Sequence, residues 1–155
     1  MTEEVAKPKS SRRRSREFAV QGIYQWLLAG DNVGNIEAFL RESNTSFARA
    51  DEKLFRSILF GAIKDMKSLQ DAIAPHVDRP MDEVSMVEAA VLCVAAYEII
   101  SMPETPYPVI INEAIELAKT FGGLDGHKFV NGVLDKLAAL VRSEEVSAGR
   151  AKRHG

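Results

Sequence analysis

Cysteine occurs once in these 155 residues, at Cys93, which excludes a disulfide framework and a cysteine-built zinc site. Histidine is nearly as scarce. His76, His127 and His154 stand in no His-x-x-x-His or His-Glu-x-x-His spacing, so no metal site is expected. There is no Gly-x-x-x-x-Gly-Lys loop and no Gly-x-Gly-x-x-Gly loop to cradle a nucleotide. No apolar run approaches the ~18 residues of a membrane span. The longest, Ala89–Tyr97, reads as a core helix. No apolar stretch follows the basic N-terminus at a signal-peptide position, which argues against secretion and for a cytoplasmic protein. No segment alternates β-branched and polar residues with period two, so strands are not expected. These absences disfavour catalysis: the chain reads as a non-enzyme without a cofactor.

What is present is globular. Apolar residues make up 46% and charged residues 27%, too apolar for a disordered chain. Val20, Ile23, Tyr24, Leu27 and Leu28 form one face of a first helix that Gly30 ends. A short second helix spans about Asn35–Glu42. Asp51 is placed to cap a third, carrying Leu54, Ile58, Ala62 and Met66, and Ser68 to cap a short fourth. Ser85 and Glu88 form a capping box ahead of a helix apolar nearly all round, which marks the buried centre. Pro103, Pro106 and Pro108 read as an extended linker. Ile111–Phe121 and Val130–Val141 mark the sixth and seventh helices. The expectation is an all-α domain of about seven helices over residues 11–142, between a disordered basic tail at 1–10 and a flexible basic tail at 143–155.

The net charge of −2 conceals an uneven distribution. Residues 1–16 hold six Lys/Arg against two Glu, residues 142–155 four against two, and residues 17–141 ten against eighteen. Two basic ends on an acidic body point to a polyanion, with solubility tails as the alternative. Arg12, Arg13, Arg14 and Arg16 crowd the positive end of a helix dipole, at a cost of ~0.3–1 kcal/mol per charge at low salt. An anionic partner would reverse that cost, and arginine's planar fork matches phosphate. A second stretch, Leu124–Asn131, opens the last helix. Phe129 stands one step off the Val130–Val133–Leu134–Leu137 stripe beside His127 and Lys128, which fits a base-stacking surface; a peripheral core Phe is the alternative. Cys93 reads as an inert buried thiol, and Glu113 with Glu116 as a solvated pair.

Several segments together resemble the NusB family of transcription antitermination factors. They are Arg12-Arg13-Arg14-Ser15-Arg16-Glu17 leading into Tyr24-Gln25-Trp26, Val87-Glu88 with Ala90-Val91-Leu92, Ala96-Tyr97-Glu98, and Pro106-Tyr107. The longest runs are Ile111-Asn112-Glu113-Ala114-Ile115-Glu116-Leu117-Ala118-Lys119 and His127 through Lys136. The resemblance covers about Arg12 to Val141. It implies two small helical bundles and no catalysis. It implies pairing with the small-subunit ribosomal protein that serves as NusE, and binding of single-stranded boxA RNA to help RNA polymerase read through terminators, notably in ribosomal RNA operons. Arg12, Arg13, Arg14 and Arg16 match the family's basic RNA-contact segment. Asp125, Lys128 and Phe129 match its RNA-facing turn, with His127 and Asn131 beside them. Tyr24 and Glu88 match positions that face NusE, and Asp82 aligns near them. Cys93 stands where many relatives have an arginine, which implies one lost RNA contact. Some relatives self-associate, so a homodimer that masks the RNA face is open.

Two other readings compete. A NusB-like domain also precedes the catalytic domain of certain ribosomal RNA cytosine methyltransferases, but a chain stopping at Gly155 has no room for one. The other is a protein–protein adaptor whose basic ends are merely solvated.

Overall fold

The computed structural model describes residues 9–122 and 125–154. Most of the tail expected to be disordered, residues 1–8, lies outside the described residues, as does Leu124 of the second basic stretch. The described residues form eight α-helices and three 3-10 turns, with no strand among them. The helices are α1 (Ser11–Ala29), α2 (Val33–Ser43), α3 (Glu52–Lys64), α4 (Met66–Ile73), α5 (Met86–Ser101), α6 (Tyr107–Phe121), α7 (Gly126–Val141) and α8 (Ser143–His154).

Local chemistry sets most boundaries. Gly30 takes φ +64° and returns its N–H to the Trp26 carbonyl, a left-handed cap that a side chain would strain. Asp51 accepts from the Leu54 N–H as expected, and the Ser85–Glu88 capping box is complete in both directions. Ser68 is not a cap: α4 starts at Met66, directly after Asp65, so Ser68 sits inside it. Pro108 likewise belongs to the first turn of α6, where a missing N–H costs nothing. The extended linker is therefore shorter than the three prolines suggest.

α1 packs on α3 and α5, and α6 packs on α7. α5 touches α1, α3 and α4 on one side and α6 and α7 on the other. Its residues from Ala90 to Ala96 are all buried. The two bundles thus share one continuous core through this helix. Gly61 lets α3 approach α5 closely, because a Cβ there would collide with the Tyr97 ring.

From residue 143, where a tail is expected on sequence, the chain continues helically as α8 to His154, with Gly155 outside the described residues. Arg142, counted with the basic C-terminal end on sequence, anchors the start of α8, whose Val146 is buried in the core. Its guanidinium donates to the carbonyls of Glu98, Ile99, Met102 and Thr105 and to the Glu145 carboxylate at 2.7 Å. Three of those carbonyls belong to the end of α5 or its cap, where the helix dipole is negative and favours a cation. Glu145 in turn accepts from the Tyr107 N–H at 3.0 Å, which covers the start of α6.

Candidate RNA and partner surfaces

The arginine run starts α1, whose N-cap is Ser10. One helical turn spreads its four side chains around the axis, and three of them meet the chain's own carboxylates. Arg16 is 3% exposed and forms a two-pronged pair with Glu98, itself 1% exposed, with Nε–Oε2 and Nη2–Oε1 both 2.9 Å. This overturns the expectation of an RNA contact at Arg16: both charges are desolvated and paired, so removing one would leave a buried charge. Arg13 makes a similar fork to Glu113, with Nε and Nη2 each 3.0 Å from a carboxylate oxygen. Those hydrogen bonds hold its guanidinium above the ordinary arginine value. Glu113 is therefore a partner for α1 and not a merely solvated carboxylate. Arg12 lies 3.7 Å from Asp51 and stays half-exposed, while Arg14 makes no ion pair among the described residues. The dipole cost read from the sequence is thus offset largely from within.

The second basic stretch opens α7. Asp125 precedes that helix without a side-chain cap bond, which leaves backbone donors at its N-terminus. Lys128 is 74% exposed and 3.6 Å from the equally open Asp125, a pairing that solvent weakens. His127 is half-buried, and its buried Nδ1 has no hydrogen-bond partner among the described residues. Asn131 lines a groove of about 480 Å³ between α6, α7 and α8 with Tyr107, Asn112 and Asp135.

Phe129 is not an open platform. It is 8% exposed, and the Arg79 guanidinium covers its ring at 4.1 Å from the centroid. The off-stripe position read from the sequence is real, yet the space beyond the stripe is filled by the segment joining α4 to α5. Arg79 is the residue the sequence reading missed. It stands 50 positions from Phe129, and nothing in local spacing pairs them.

On the expected partner side, Tyr24 lines an open apolar groove of about 310 Å³ with Ile36, Phe39, Leu40, Val87 and Phe121. Phe39 is 64% exposed, a large apolar side chain left in solvent at the groove's edge. Glu88 follows Val87 in α5. Its Oε1 accepts from the Ser85 N–H, and its Oε2 is 3.6 Å from where a Cβ on Gly126 would stand, so its carboxylate also approaches the start of α7. Asp82 is exposed in the turn Met81–Glu83 and does not line the groove.

Cys93 is buried with Sγ 3.6 Å from Met66 Sδ, and burial pushes the thiol up to about 12, leaving it protonated and inert. No group of His, Cys, Asp or Glu that could hold a metal occurs among the described residues, and no described helix is long and apolar enough to cross a membrane.

Two curated relatives are similar along nearly their whole length. The transcription antitermination protein NusB of Chromobacterium violaceum is 62% identical over 146 residues, covering 94% of this chain and 97% of that protein. That of Laribacter hongkongensis is 57% identical, covering 94% and 87%. Among solved structures, NusB of T. maritima superposes with a TM-score of 0.75 at 28% identity, over 90% of this chain and 99% of that one. A crystal structure of antitermination factors NusB and NusE in complex with dsRNA superposes with a TM-score of 0.72 at 22% identity, over 82% and 95%. The model of the NusB family matches residues 13–139. On that match and those identities, the chain belongs to the NusB family.

Proposed function

We propose that this protein is a cytoplasmic transcription antitermination factor that pairs with the ribosomal protein NusE and binds boxA RNA within an RNA polymerase complex, notably on ribosomal RNA operons. The observation that carries the reading is the 62% identity, across nearly the whole chain, to a protein named for antitermination. The fold neighbour that holds NusE and RNA supports both kinds of partner. Arg12 and Arg14 at the start of α1, with His127, Lys128 and Asn131 on α7, supply the RNA contacts. Arg13 joins only as Glu113 yields it, and Asp125 tunes the turn through Lys128. The Tyr24 groove takes NusE, with Glu88, the residue after the groove-lining Val87, and the exposed Asp82 as its charged contacts. A homodimer that covers the RNA face would compete with RNA.

Binding of boxA and of a scrambled RNA across a salt series, with and without NusE, tests this. The expected result is tighter binding of boxA, strengthened by NusE, with a log–log slope of roughly −0.7 per phosphate contact. Equal affinity for the two RNAs, unaffected by NusE, would refute it in favour of an adaptor with solvated ends. Sedimentation with and without boxA RNA identifies a competing homodimer.

A further inference from the structure

We infer that Arg79 supplies the plane on which an RNA base stacks, with Phe129 as its backing; this rests on the RNA-binding reading above. Phe129 presents too little surface to take a base itself, because it is 8% exposed under the guanidinium. The guanidinium lies 4.1 Å from the ring centroid, so one side of it is spent on the ring. The Arg79 side chain is nevertheless 37% exposed, so solvent still reaches it.

Its orientation is held. Nε donates to Asp78 Oδ1 at 3.2 Å, and the Nη donors have no hydrogen-bond partner among the described residues. The next residue is Pro80, whose ring restricts the Arg79 backbone to extended conformations. An arginine plane fixed by an aromatic beneath it is a recurrent surface for unstacked RNA bases, and its free donors suit an adjoining phosphate. Lys128, next to Phe129 in α7, provides an exposed cation for the backbone, and the α7 N-terminus provides uncapped amides. Phe129, which backs the Arg79 plane, thus shares the first turn of α7 with the Lys128 charge and the helix N-terminus.

The test uses full-length protein and boxA RNA carrying 2-aminopurine at one position at a time. Wild-type protein should quench one position strongly. Arg79→Lys keeps the charge and loses the plane, so that quench should vanish and affinity fall roughly tenfold. Arg79→Ala should lose at least as much, and both variants should unfold near the wild-type denaturant midpoint. Wild-type affinity and quenching in Arg79→Lys, with a loss confined to Arg79→Ala, would make Arg79 a simple phosphate contact and overturn the inference alone. Lys128→Ala, which leaves the plane intact, should bind more weakly yet keep the quench. If wild-type protein binds boxA no better than scrambled RNA, the functional reading falls, and the inference with it.

Discussion

The two basic segments at the starts of α1 and α7 look alike in sequence and differ in structure. In the first, three of four arginines meet carboxylates of the same chain, and one pair is fully buried. In the second, Lys128 projects into solvent beside uncapped amides. A charge cluster in a sequence records where cations are, not which remain free. The first segment ties α1 to α5 and α6. The second has little structural use for its lysine, which leaves it available to a polyanion.

The sharpest way to break this contrast is to delete one charge from each segment. Arg16→Ala should lower stability by about 3–5 kcal/mol, since it strands Glu98 in the core. Lys128→Ala should leave the denaturant midpoint unchanged and weaken RNA binding. Equal midpoints for Arg16→Ala and wild type would show the buried pair to be dispensable. Next in size is Phe129. Phe129→Ala should cost about 3–5 kcal/mol as a core truncation, with the low end expected because the ring lies at the edge of the core under Arg79. Phe129→Leu should recover most of that in the same unfolding experiment.

A finer probe is the salt dependence of RNA binding. Removing Arg12 and Arg14 together should shrink the log–log slope by roughly 1.4, from two single-strand phosphate contacts. Removing Arg13 alone should change it far less, because Glu113 already neutralises that guanidinium. Glu113→Gln should steepen the slope and tighten binding. A steepening absent from Glu113→Gln would show that Arg13 does not reach RNA even when released.

The smallest expected effect is an acid one at α8. Burial pushes the Glu145 carboxyl up, but the Tyr107 N–H and Arg142 outweigh it and hold the group below its ordinary value. A carboxyl lowered in the folded state stabilises above its unfolded value, about 4.3, and that contribution is lost as pH falls through the lower folded value. The protection factor of the Tyr107 amide should therefore fall on acidification below that range. Glu145→Gln should exchange faster at neutral pH and respond less to acid.

The fold was readable because its signals are local. Apolar spacing marked seven of the eight helices, and the caps at Gly30, Asp51 and the Ser85–Glu88 box lie where short-range chemistry puts them. α8 escaped because its sequence is polar, and it is tied to α5 and α6 largely through Arg142 and Glu145. The surfaces were readable only in part. Residue type and helix position located Lys128, but the partners of Arg13 and Arg16 lie 100 and 82 residues away, and that of Phe129 lies 50 away. Periodicity within one helix carries no information about such pairs. The off-stripe position of Phe129 marked an edge of the core correctly and left unstated what covers that edge.

The sharing of α5 has a consequence for how the chain comes apart. Neither the helices before it nor those after it enclose an apolar interior without it, and Arg16, Glu98 and Arg142 join all three parts at one end. The two bundles are therefore a single cooperative unit. Heating should melt them in one calorimetric transition, and a chain severed between α4 and α5 should leave an N-terminal piece that acquires its native structure only when the remainder is supplied.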